Sequence, residues 1–325
     1  MPKGRRYSTA HYFPNGTIYI LGGTENTNNY EFASPLLTLH LQNDFSLHPS
    51  ASTNHDFLPS IGHTSHLPNN SIFSVFGLHP TQYSNSEQSP RYKHTSLLDY
   101  PYLYVIGGLS TQSHQPILDA LWRHSLLDNS WISFSFIPLS GHVSFQFKHW
   151  ILSCFGHQHS LLSNNCIVFD TIFANSTKII SVQDWPSSRI HATITPQGSK
   201  YILFGGKDQK GILDDVWEAQ LETPLNIRWT KLEAIGHPRS GHVAIPLSQQ
   251  QLILYYGGQQ TLSLMADEPL YLNTTSGQWI QRRKPVYQLE VSPEAVDDQG
   301  LGGGAITGIV VGLVAAIVLG TAGFL

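Results

Sequence analysis

Short apolar runs that end on paired glycines recur along the chain, and nothing else in the sequence limits its fold so tightly. "TIYILGG" closes on Gly22 and Gly23, "YLYVIGG" on Gly107 and Gly108, "KYILFGG" on Gly205 and Gly206, and "LILYYGG" on Gly257 and Gly258. Two degenerate copies fit the same frame, "IFSVFGL" with Gly77 and "WILSCFGH" with Gly156. Taking the first glycines at 22, 77, 107, 156, 205 and 257, the steps between them are 55, 30, 49, 49 and 52. A period near 50 marks a repeat architecture, in which each unit buries its apolar faces against its neighbours.

Other positions travel with the glycines. Upstream lies a basic residue followed by histidine: "RYKH" at Arg91–His94, "RIH" at Arg189–His191 and "RSGH" at Arg239–His242, with "GH" alone at His63 and His142. Downstream come an aromatic strand and a tryptophan, at Trp131, Trp229 and Trp279. The apolar runs are short and rich in Tyr, Ile, Val and Phe, so they are strands. They do not alternate, so both faces are buried. Glycine ends each run because it accepts a positive φ and a close neighbour. Turns such as "DNSW" and "TSGQW" lead into a further strand. Each repeat therefore predicts one four-stranded antiparallel sheet, and radial packing of such sheets is a β-propeller. A tryptophan of each outer strand is expected to wedge between sheets, where truncation to alanine costs about 3–5 kcal/mol.

This order of basic residue, histidine, apolar strand, glycine pair, aromatic strand and tryptophan resembles the kelch repeat. The resemblance covers about Arg5–Trp279 in six copies, well formed around Gly107, Gly205 and Gly257 and degenerate elsewhere. It implies an all-β, kelch-type propeller over 5–284, with the glycine pairs ending second strands and Trp131, Trp229 and Trp279 in fourth strands. The step from Gly77 to Gly107 is about 20 residues short, so the second blade should lack its outer strands. The count is about six blades, with seven left open. Followed by a glycine-rich stretch and an apolar tail, the chain also resembles the fungal membrane-anchored kelch proteins, described as galactose-oxidase-like or attractin-like.

The tail Ala305–Leu325 holds 21 residues without charge or proline. As a helix it would span roughly 31 Å, the thickness of a hydrocarbon core. It predicts one C-terminal transmembrane helix, with 285–304 as a linker and flexible stalk. The first ten residues are basic but lead into no apolar run of the signal-peptide kind. Both ends and the second repeat read as incomplete. Three topologies follow: a propeller outside the cell or in the secretory lumen, a tail-anchored cytosolic adaptor, or removal of the tail at a GPI signal near Asp298 and Gly300. Sequons at Asn15, Asn69, Asn175 and Asn273 sit beside predicted turns and favour the first, as a glycoprotein. Charged residues are only 12% of the chain, again the habit of secreted surfaces, and the net charge of -4 argues against nucleic acid. Cys154 and Cys166 flank a loop on adjacent strands; a cross-strand disulfide is one reading and two buried thiols the other.

The chemistry expected is sparse. His63, His94, His142, His191 and His242 recur once per repeat, and groups that repeat with every blade are structural. "GHQH", with His157 and His159, could ligate a metal with His149, but loop histidines are usually solvated. Galactose oxidase shares the kelch fold, yet Cys154 lies inside one apolar strand and Cys166 begins another, and no copper constellation converges. "GLGGGAITG" follows no strand and is no nucleotide loop. The expectation is a membrane-held, non-enzymatic propeller without cofactor or metal, binding a protein or glycan through Gly23–Ser34, His79–Pro90, Gly108–Pro116, His157–Asn165 and Gly206–Gly211. The alternative is a galactose-oxidase-like metal oxidoreductase.

Overall fold

The computed structural model describes residues 3–50, 59–67, 72–78, 90–117, 120–158, 161–179 and 184–280. The described residues all fall in one compact unit, Met1–Gln281. The stalk and apolar tail, Asn69, His159 and most of the loop from His79 lie outside the described residues. Among the described residues no helix is long and apolar enough to cross a membrane.

This unit is built of antiparallel sheets whose strands follow chain order. The first sheet is Thr9–Tyr12, Thr17–Leu21, Leu36–Leu41 and Leu47–Pro49. The second shows two strands among the described residues, Thr64–His66 and Phe73–Val75. The third is Thr95–Asp99, Tyr102–Ile106, Leu121–Ser125 and Trp131–Phe134. The fourth is Val143–Phe147, Trp150–Cys154, Cys166–Asp170 and Asn175–Ile179. The fifth is Thr193–Gln197, Lys200–Phe204, Val216–Thr223 and Asn226–Leu232. The sixth is Val243–Leu247, Leu252–Tyr256, Leu270–Asn273 and Trp279–Ile280. First strands neighbour one another in sequence, and Val243–Leu247 returns to lie beside Thr9–Tyr12.

The second strands are the buried ones, as their unbroken apolar composition requires. All five residues of Leu252–Tyr256 are buried. Core clusters form between successive sheets. One joins Val143, Leu152 and Cys154 to Leu203 and Trp229. Another joins the last sheet to the first, through Ile245, Leu254 and Tyr271 against Ile18, Ile20 and Leu39. Trp229 packs on Phe155, Trp279 on Phe204, and Trp131 on Phe76, in each case a residue of the preceding repeat.

Backbone hydrogen bonds make the circuit explicit. The N–H of Tyr7 donates to Gly241 O, Gly62 to Tyr7, Lys93 to Gly62, Gly141 to Lys93, His191 to Gly141 and Gly241 to His191, at 2.8–3.1 Å. Among the described residues this series of six bonds returns to its start, with one residue from each of six repeats. A second set runs from the last glycine of each pair to the next repeat: Gly23 to Ser60, Gly77 to Arg91, Gly108 to Leu139, Gly156 to Arg189, Gly206 to Arg239 and Gly258 to Arg5.

That second set corrects the repeat alignment. Gly77 and Gly156 correspond to the second glycine of each pair, not the first. The first position is held there by Phe76 and Phe155, both with positive φ, 51° and 67°. Each phenylalanine lies 5.8 Å beneath the guanidinium of the next repeat, Arg91 or Arg189. The second position admits only glycine: at Gly258 a Cβ would come within 2.7 Å of the His242 Cβ at a φ of 82°.

Cys154 and Cys166 are directly opposed in the fourth sheet, both fully buried, and are joined by a disulfide. It closes the short loop between two strands that already pair. A loop of 12 residues' separation corresponds to about 3 kcal/mol in the chain-entropy account of disulfides.

Candidate functional site

The circuit of hydrogen bonds surrounds one mouth, and the repeats place their equivalent residues around it. Each first strand leaves the mouth and each second strand returns to it, so every glycine pair stands at its edge. The segment after each pair then bridges to its own repeat's entry: Thr24 to Arg6, Leu78 to Ile61, Leu109 to Tyr92, His157 to Ser140, Lys207 to Ile190 and Gln259 to Ser240. The connections Gly23–Ser34, Gly108–Pro116, His157–Asn165 and Gly206–Gly211, and the corresponding Gln259–Met265, therefore all begin at one rim. Strand turns such as Tyr100, Ile172 and Phe173 occupy the opposite end.

Behind the rim sits a ring of imidazoles. His63 Nε2 lies 2.9 Å from Thr9 Oγ1, His94 Nε2 3.0 Å from Thr64, His142 Nε2 2.8 Å from Thr95, and His242 Nε2 2.8 Å from Thr193. Each histidine thus binds the hydroxyl of the preceding repeat. Where the histidine is replaced, its partner changes too: Ala192 follows the repeat of Val143, and Ser8 follows, around the circuit, the repeat of Val243. At Ala192 and Val143 both partners of the pair are missing, which is nearly neutral; Ser8 keeps a buried hydroxyl that finds no partner opposite Val243. Burial pushes His142 down to about 3; His242 is also held down to about 3, by burial first and then by the Arg239 charge. The hydroxyl chain continues through Ser65 Oγ to Thr9 Oγ1 at 2.6 Å, His11 Nε2 to Ser65 at 2.7 Å and His66 Nε2 to Ser96 at 2.6 Å. These groups lock neighbouring first strands together.

His191 does not belong to that ring. It stands one residue earlier in its repeat, on the mouth circuit itself, because "RIH" lacks the residue that "RYKH" and "RSGH" carry before histidine. Its Nδ1 is 3.3 Å from the Tyr7 hydroxyl. A cavity of about 160 Å³ lies among Tyr7, Lys93, His142, His191 and His242. A second, of about 370 Å³, opens beside it between Arg6, Lys207 and Leu162.

The buried arginines are structural. Arg5, Arg91, Arg189 and Arg239 each donate Nη1 to the carbonyl of the first glycine of their own repeat, Gly22, Gly107, Gly205 and Gly257, at 2.9–3.3 Å. The sequence shows these as basic residues before histidine; what it hides is that they hold the glycine turns from within. Of the three histidines offered as a metal set, His159 lies outside the described residues and the other two do not meet. His149 and His157 stand at opposite ends of Trp150–Cys154, roughly 20 Å apart at strand rise, and His149 lies 3.6 Å from Asp170. Among the described residues no group of three His, Cys, Asp or Glu side chains could hold a metal. Asn15 and Asn175 are exposed, and Asn273 is half-buried in a turn, its Oδ1 accepting Thr275 and Ser276 N–H.

No protein-family model matches the chain. It is similar to Acyl-CoA-binding domain-containing protein 4 of Arabidopsis thaliana, 28% identical over 126 residues, and to Acyl-CoA-binding domain-containing protein 5 of the same plant, 28% over 124 residues. It is also similar to tRNA wybutosine-synthesizing protein 4 of Candida albicans, 26% identical over 111 residues. These stretches are 37%, 37% and 34% of this chain but only 18%, 19% and 16% of the relatives. The chain spans less than a fifth of the length of the curated relatives it matches.

Proposed function

We propose that the chain is a six-bladed kelch-type β-propeller that acts as a binding module, taking a protein or glycan partner at the rim where its loops gather and performing no chemistry of its own. The observation that carries this reading is the convergence of the loops: every described connection after a glycine pair starts at the same mouth. Loops held on a rigid scaffold are where recognition is usually placed. The repeated histidines and arginines are occupied in holding the repeats to one another, which leaves specificity to residues that do not repeat.

The oxidoreductase alternative needs a cysteine for a Cys-modified tyrosine, and the two cysteines of the chain are bonded to each other. The relatives' names speak of acyl-CoA and tRNA; no feature of this chain calls for either, and the shared stretch is too small a part of them to transfer an activity. Screening the full chain on peptide and glycan arrays tests the reading. Binding should be abolished by substitutions at the rim, such as Leu161→Asp with Gln209→Ala, and untouched by Ile172→Ser or Phe173→Ser at the opposite end. The reverse pattern, or turnover of sugar alcohols with copper, would overturn it.

On this reading the propeller lies outside the cell or in the secretory lumen, held by Ala305–Leu325. A buried disulfide suits an oxidising compartment, and Asn15 and Asn175 are exposed acceptors. Glycosidase treatment of the endogenous protein should increase its gel mobility. An unchanged band would instead favour the tail-anchored cytosolic adaptor.

A further inference from the structure

The six residues of the mouth circuit alternate in size. Tyr7, Lys93 and His191 carry side chains; Gly62, Gly141 and Gly241 stand between them. The glycines make room for their bulky neighbours. A Cβ on Gly141 would meet the His191 ring at 3.1 Å, and one on Gly241 the Tyr7 ring at 3.0 Å. The Tyr7 and His191 rings meet edge-on with centroids 4.8 Å apart. Lys93 Nζ lies 5.9, 5.7 and 5.5 Å from the ring centres of Tyr7, Tyr30 and Tyr92. The Arg6 guanidinium lies 5.0 and 5.9 Å from those of Tyr7 and Tyr30.

Among the described residues these cations have no anionic partner. No ion pair among the described residues involves Arg6, Lys93 or Lys207. Arg6 is only 8% exposed; its Nη1 reaches Gln259 Oε1 at 3.3 Å and its Nε has no hydrogen-bond partner. Nearby carboxylates are engaged elsewhere. Asp208 lines the cavity of about 370 Å³, but its Oδ1 accepts the N–H groups of Lys210 and Gly211. Glu25 faces Arg5 at 3.5 Å, and Glu31 accepts from the Asn26 amide. His191 registers the imbalance. Burial holds it well below its ordinary value, and the charges of Lys93, His157, Arg6 and Lys207 lower it further. A mouth this positive on a chain of net charge -4 is a local construction.

Apolar side chains border the same opening. Leu161, Leu162 and Ile190 line the cavity of about 370 Å³ together with Arg6 and Lys207. Leu161, Leu262 and Leu264 are 74%, 69% and 52% exposed on the connections that leave the rim. Of the tyrosine rings, Tyr92 is buried and Tyr7 half-buried, and the exposed Tyr30 ring is shared with the Lys93 and Arg6 cations.

We propose that the mouth binds an acidic peptide segment, with an Asp or Glu carboxylate received by Arg6, Lys93 and Lys207 and flanking apolar side chains against Leu161, Leu162 and Ile190. This rests on the reading of the rim as a binding face. The test is fluorescence anisotropy of the full chain with labelled short peptides alternating Glu with Leu or Val, beside Gln-for-Glu copies and polygalacturonate as competitor. The acidic peptides should bind, the amide copies should not, and added salt should weaken binding. Lys93→Gln and Lys207→Gln should each weaken it ~10-fold, as expected for one charged contact, and Lys93→Arg should retain it. Equal binding of the amide copies, unchanged affinity in Lys93→Gln, or polygalacturonate held through Lys93 in place of peptide would overturn the inference. If rim substitutions abolish binding of a neutral ligand while Lys93→Gln does not, the binding face stands and the acidic specificity falls; no binding at the rim by any array member sinks both.

Discussion

Arg189→Met is expected to destabilise the fold by about 3–5 kcal/mol, the cost of leaving one member of a buried ion pair behind. Arg189 has no exposed surface and Asp215 little. The guanidinium holds both carboxylate oxygens, Nη1 to Oδ1 at 2.6 Å and Nη2 to Oδ2 at 2.8 Å. It also donates to Gly205 O at 3.0 Å and, from Nε, to Ser187 O at 2.9 Å. Burial alone would raise the Asp215 carboxyl, and this is the largest single influence on it. The hydrogen bonds and charge of Arg189, with smaller help from the Trp217 indole and Lys231, outweigh it and keep the group below the usual carboxylate range. Without Arg189, the burial penalty stays and most of its compensation goes.

Asp215→Ala should cost less than Arg189→Met. The sixth repeat shows why: Glu268 stands at the place of Asp215, and Arg239 makes its hydrogen bonds to backbone carbonyls, Gly257 O at 2.9 Å and Glu268 O at 2.6 Å, with its Nε left unpartnered. Arg189 can fall back on the same kind of contact, whereas an abandoned carboxylate cannot. Urea denaturation of both single variants and the double variant at neutral pH decides this. A loss under about 1 kcal/mol for Arg189→Met, or an equal loss for Asp215→Ala, would show that the pair is not the anchor described.

The strands and the turn glycines were legible in the sequence because their demands are local. Five apolar residues ending on Gly107 and Gly108 admit few structures, and the same demand recurring near every 50 residues forces sheets that cover one another. The register of the degenerate copies was not legible. Phe76 and Phe155 occupy a positive φ that sequence reasoning reserves for glycine, and what stabilises them is the arginine of the following repeat, 15 and 34 residues further on. The mouth was hidden for a related reason. Aligning histidines placed His191 with His142 and His242, and only the missing residue in "RIH" signalled otherwise. The alternation of Tyr7, Lys93 and His191 with glycine cannot be seen along the chain, since those residues meet only after six repeats close. The histidine–threonine pairs left a trace that could have been followed: Thr64 and Thr95 directly follow His63 and His94, as hydroxyls ready for the next repeat's imidazole.

Those pairs make the fold acid-sensitive, and stability should fall steeply as pH drops from about 6.5 toward 5. His142 and His242 are buried with their Nδ1 atoms lacking any partner, so the single proton of each neutral ring belongs on Nε2, donated to Thr95 or Thr193. A second proton would create a charged donor with nothing to receive it. Their folded values near 3 lie far below the unfolded value of about 6.5. Above pH 6.5 neither state is protonated and the histidines contribute no pH dependence. Between 6.5 and 3 the unfolded chain takes up protons that the folded chain refuses, so stability declines as pH falls. At pH 5 the difference is about 2 kcal/mol for each of the two, and about 4 kcal/mol together. His94 and His191 shift the same way, and His11 and His66, held down to about 4 by burial first, add to the slope. Asp215 and Asp170, whose folded values are lowered, lose their contribution only as pH falls below about 4, outside the range from pH 7.5 to 5. Urea midpoints measured from pH 7.5 to 5 should therefore fall throughout the histidine window, against a total stability for most domains of about 5–15 kcal/mol. A flat midpoint over that range would mean that the imidazoles are solvated and that the ring does not hold the repeats together. Replacing His142 and Thr95 together by Ala and Val, the arrangement already present at Ala192 and Val143, should leave the fold intact at pH 7 and make the slope shallower by one histidine's share.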